Sequence, residues 1–173
     1  LQAYRYAAEP FFFNQEKEKN SKKTYSKIMN YFVIIVTLMF LSIVMNLQIV
    51  KYFTPNSIYW EGLVVVPILL GANVLLGIYT NQSIWYKLSH NTHYGALISI
   101  VGATITIILN LLFIPKYGYV AAAWATFFCY GTMVLLSYFL GQKFYPIKYN
   151  LRKIALYAVS YTHLRAHETE ASL

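Results

Sequence analysis

Arg5 and Glu9 stand four residues apart in YRYAAE, the spacing that puts two side chains on one face of a helix. Pro10 follows at once. A proline has no N–H and clashes with the preceding turn, so it predicts a kink or a local opening there. An ionisable pair beside an opened backbone could line a polar cavity, and the planar fork of arginine donors suits phosphate oxygens. The same pair could equally be a structural ion pair, or could snorkel to an interface. Asn110, Asn46 and Asn73 lie inside apolar runs. An amide there could touch a sugar or hydrogen-bond one helix to another. Asn73, close to Pro67 and Gly71, could also cover backbone exposed at a bend. His163 and His167 are four apart, as metal ligands can be, but no third ligand accompanies them.

The wider inventory is poor in chemistry. There is no aspartate, which excludes a mechanism built on an Asp-chelated metal. There is no zinc spacing and no glycine-rich phosphate loop. No cofactor is expected, and the chain reads as a non-enzyme.

The elements that would hold these residues are long and apolar. The 173 residues are 58% hydrophobic and 12% charged, with a mean hydropathy of +0.45. Soluble domains carry about 25% charged residues. The formal net charge of +8 could suggest nucleic acid, but the charges sit in short loops between apolar runs. Nucleic acid is therefore not expected as a partner, and membrane lipid is. Cys129, the one cysteine, lies within an apolar run and reads as a small packed hydrophobe.

Asp, Glu, Lys and Arg are absent from 28–50, 62–86, 88–115 and 117–142. About 20 apolar residues in a helix cross a hydrocarbon core of about 30 Å. Four complete spans are predicted, at about 28–50, 62–82, 95–114 and 119–140, with partial helices at 1–13 and 152–159. The third and fourth form a hairpin around IPKYG, where Pro115 and Gly118 make a tight turn cheap. Pro67, Gly71 and Gly77 predict that the second span is bent and closely packed. Gly118 with Ala122, and Ala121 with Ala125, are small-xxx-small pairs that permit close helix contact. Tyr52, Phe53, Tyr59 and Trp60 fit an interfacial aromatic belt.

Loops 14–28, 83–94 and 141–153 hold five, one and four Lys or Arg, while 52–61 and 115–119 hold none and one. The alternation places the richer loops in the cytoplasm. His90 and His93 then fall in a cytoplasmic loop and Glu61 at an outer edge, all solvated. Leu1 opens directly into AYRYAAEPFFF, so the chain reads as a piece of a longer one. Residues 159–173, SYTHLRAHETEASL from Ser160 on, break the apolar pattern and read as a non-native tail.

Several stretches carry a resemblance: YRYAAEPFFF, KNSKKTYSKIM, YWEGLVVVPILLGANVLLGIYTNQSIWYKL and NLLFIPKYGYVAAAWAT. Over about 1–158 the chain resembles the C-terminal half of polysaccharide biosynthesis membrane proteins. These are oligosaccharide flippases of the multidrug/oligosaccharidyl-lipid/polysaccharide exporter superfamily. The most specific piece is 110–126, with N-x-x-x-x-P-x-x-G-x-x-A-A-A-x-A-T spacing. The resemblance implies an all-α, MATE-like bundle of two lobes around a central cavity, of which this chain supplies part of the second. It implies a bacterial inner-membrane location and a lipid-linked oligosaccharide substrate. It also implies a missing N-terminal lobe of the same polypeptide as partner. Arg5, Glu9 and Asn110 become the substrate-binding candidates. The alternatives are a cation-coupled multidrug exporter, which needs an acidic residue within a span, a membrane glycan enzyme, or a non-transporting membrane subunit.

Overall fold

The computed structural model describes residues 2–15, 20–47 and 57–147, and among them every regular element is helical. The order is α1 (Gln2–Gln15), α2 (Ser21–Met45), a 3-10 helix (Ser57–Val65), α3 (Val66–Gln82), α4 (Ile84–Leu88), α5 (His93–Tyr117) and α6 (Tyr119–Phe144). Four helices are long and apolar enough to cross a membrane: Ser21–Met45, Gly62–Leu88, His93–Tyr117 and Tyr119–Phe144. The chain is thus an all-helical protein with the makings of a multi-pass membrane bundle. The partial helix expected at 152–159, the tail expected at 159–173 and residues 16–19 and 48–56 lie outside the described residues. So do His163 and His167.

The four membrane-length helices are longer than the predicted spans. α2 begins at Ser21, so Lys22, Lys23 and Lys27 ride on its first two turns rather than in a loop. A helix can extend past the hydrocarbon because lysine stems cover apolar surface while the ammonium stays at the interface. α5 keeps Pro115 inside its last turn and ends at Tyr117, so the turn to α6 contracts to Gly118 alone. Gly118 has φ 59° and ψ −142°, a backbone conformation open to glycine and costly for other residues. Pro67 lies in the first turn of α3, at its junction with the 3-10 helix, where its missing N–H costs no α-helical bond. Pro10 lies inside α1, which continues through it to Gln15.

α6 is the centre of the bundle, packed on α5 along one side and α3 along the other, with α2 laid against α3. Glycines set these approaches. A Cβ built on Gly102 would lie 2.7 Å from Met133 Sδ and 3.1 Å from Cys129 Sγ. One built on Gly71 would lie 3.3 Å from the Phe127 ring. Cys129 is buried, as expected for a packed hydrophobe, and its thiol donates to Gly102 O at 3.2 Å. Ala121, Ala123 and Ala125 are all buried near the start of α6, Ala121 and Ala125 on one face and Ala123 on the other side.

The bundle is tight at one end and open at the other. At the tight end Phe12, Tyr25, Ile84, Leu88 and Ile147 form one cluster, drawn from α1, α2, α4 and the segment after α6. At the open end nearly all of α5 beyond Ala103 is exposed or half-buried. Only 28, 17, 11 and 33% of the four apolar windows is buried, in chain order. Most of that apolar surface therefore requires lipid or further protein to cover it.

Candidate functional site

The tight end gathers the polar groups. Lys87 on α4 donates from Nζ to Oε1 of Glu9 on α1, across 78 residues of sequence. Both side chains are about a quarter to a third exposed, at 25% for Lys87 and 32% for Glu9. The pair sits where α1 docks on α4, beside the Phe12–Tyr25 contact. There Tyr25 donates its hydroxyl to Phe12 O at 2.9 Å while the rings meet edge to face. Lys22 lies 4.4 Å from the centroid of the Tyr145 ring, tying the start of α2 to the chain after α6.

Behind this surface lies a buried polar layer. Trp85 Nε1 donates to Ser137 Oγ at 3.2 Å, joining α4 to α6. The indole stacks on Phe144 with 6° between planes. Tyr79 and Tyr86 bring their hydroxyls within 3.3 Å. Asn81 donates to Gly77 O, and Gln142 donates to Ile147 O at 2.7 Å. Gln82 is buried with its Oε1 unpartnered, next to a small cavity of about 10 Å³ that it lines with Trp85, Ser137 and Gln142.

Glu9 thus has a partner the sequence did not name. Arg5 falls on α1 one turn earlier, and its side chain lies outside the described residues. Asn110 is not brought to this end. It lies 17 residues into α5, about 25 Å along the axis from the helix start. Its Oδ1 is buried without a hydrogen-bond partner, so the interhelical bond expected of it is not made by that oxygen. Asn46 is not a buried amide. It is exposed at the end of α2 and donates to Ser42 O at 2.8 Å. Asn73 makes the same local bond to Leu69 O, one turn back. His90 and His93 are exposed. Among the described residues no three His, Cys, Asp or Glu side chains group as metal ligands.

Lys87, Tyr25, Trp85 and Ser137 were missed as members of this layer. Their pairings join residues 13 to 78 apart, and nothing in the local pattern signals them. Comparison with protein-family models, curated proteins and solved structures finds no match.

Proposed function

We propose that this chain is part of one lobe of an integral membrane transporter. It moves lipid-linked oligosaccharide across a bacterial cytoplasmic membrane for cell-surface polysaccharide. The observation that carries this reading is the hairpin 110–126. There Pro115 sits in the last turn of one apolar helix, Gly118 reverses the chain at φ 59°, and the buried Ala121, Ala123 and Ala125 open the next. Pro115, Gly118 and these alanines, all within the stretch that carries the flippase resemblance, have backbone or packing roles in that hairpin.

The surrounding structure is compatible with such work. A flippase needs polar groups near a mouth, a weakly covered face for the opposite lobe, and a rigid unit that can rock. The Glu9–Lys87 layer supplies the first, and the open end of α5 the second. Asn110 Oδ1 is buried and unpaired, so a movement that uncovers it would expose a free acceptor for a sugar hydroxyl. The exporter alternative draws less support, because the Glu9 carboxylate is engaged by Lys87 at the end of the bundle rather than held alone within a span.

The test is flux. The protein, with its adjoining lobe, is reconstituted in vesicles with a fluorescent lipid-linked oligosaccharide. Movement is read by the fraction that an impermeant quencher can reach. Time-dependent loss of protection supports transport, and Asn110→Leu should slow it in a protein that keeps its helix content. Absence of any movement by the intact, folded protein discards the transport reading.

A further inference from the structure

Away from the polar end, an open groove of about 540 Å³ lies between α2 and α3, lined by Ile28, Tyr31, Ile35 and Met39 on one side and Leu70 and Val74 on the other. Asn73 is the single amide among its walls, and its Nδ2 is already committed to Leu69 O. The groove is therefore built for a hydrocarbon ligand. On α2 the walls run from Ile28 to Ile43, 15 residues or about 22 Å along the helix. That length fits within a hydrocarbon core of about 30 Å.

One end of the groove is cationic. Lys27 stands one turn before Tyr31, and Lys23 one turn further out, both exposed. Tyr31, 66% exposed, places a hydroxyl at the same mouth. Lys22 differs, because its ammonium lies over the Tyr145 ring. We propose that this groove binds one acyl chain of an anionic phospholipid, whose headgroup phosphate is held by Lys27 with Lys23. The chain fills the apolar walls, and the ammonium groups meet the phosphate at headgroup depth. A zwitterionic lipid can enter the same walls but gains less from the lysines. The proposal does not depend on transport, so a failed flux assay leaves it standing.

The test places a reporter in the groove by Met39→Trp in the full chain, with Ile35→Trp as a second reporter. Each is reconstituted in phosphatidylcholine vesicles. Quenching of the added tryptophan by dibrominated phosphatidylglycerol is compared with quenching by dibrominated phosphatidylcholine. The expected result is half-quenching at a lower mole fraction of the anionic lipid, by about fivefold for each lysine engaged. Lys27→Gln should remove about fivefold of that preference, Lys23→Gln a similar or smaller part, and Lys22→Gln none. Equal quenching by the two lipids overturns the proposal. So does absence of quenching in a protein of unchanged helical circular dichroism, which would show another protein segment or a second copy in the groove. An equal loss of preference in Lys22→Gln overturns it too, because total charge rather than this groove would then select the lipid.

Discussion

Ser137 is fully buried on α6, and its hydroxyl accepts from Trp85 Nε1. Trp85→Phe keeps a ring to stack on Phe144 but removes the donor. It is expected to cost about 1–3 kcal/mol, the range for a buried polar group left unpaired. Chemical unfolding in detergent micelles reads this, with Trp60→Phe as the exposed control. The Glu9–Lys87 pair is a smaller matter. Both groups are partly solvated, so water screens the attraction, and a coupling of less than about 1 kcal/mol is expected from the Glu9→Gln, Lys87→Met double-mutant cycle. The coupling should shrink as salt rises. A salt-independent coupling of several kcal/mol would mean that the pair is far drier than its exposure implies. Gly95 marks a third sensitive point, since a Cβ there would lie 2.7 Å from the Tyr86 ring. Gly95→Ala should destabilise by about 1–3 kcal/mol through overpacking. Gly62→Ala, with no atom within 4 Å of the new Cβ, should stay within about 0.5 kcal/mol of the parent.

At the scale of elements, the α5–α6 hairpin turns on one residue. Gly118→Ala puts a side chain on a backbone that glycine alone adopts cheaply, and should cost about 1–3 kcal/mol. Ala122→Gly, four residues on, should cost about 1 kcal/mol, from helix propensity alone. A thermal melt of the two variants compares them, and a Gly118→Ala melting point no lower than the parent's would refute the strained-turn account. This hairpin was readable in the sequence because its signals are local. Two charge-free runs, a proline and a glycine set both helices and their junction. The glycine contacts of α3 were readable for the same reason. Local rules failed in two instructive places. Lys22, Lys23 and Lys27 were placed in a loop because charge ends an apolar run without ending a helix. The polar layer went unseen because Lys87–Glu9 and Trp85–Ser137 are made by packing. Asn110, by contrast, was named from its type alone, and the structure adds the unpaired oxygen.

For the whole molecule, the loop charges predict an orientation that labelling can check. With Cys129→Ala as the background, single cysteines at Ser89 and Lys143 should react with an impermeant maleimide from the cytoplasmic side. A cysteine at Tyr117 should react only from the other side. Labelling of Tyr117 and Ser89 from one side would break the four-span topology. The docking of α1 has a further consequence, for the time at which the tight end forms. Glu9 and Lys87 are separated by 78 residues. At 5–20 residues per second, synthesis of the intervening chain takes roughly 4–16 s. For that interval Phe12 and Tyr25 have no α4 to close over them. The nascent chain must then lodge its first helices in lipid, or against an insertion factor, as unfinished surface. A translational pause placed after Lys87 would give α1 time to settle, whereas one placed before it would prolong that exposure.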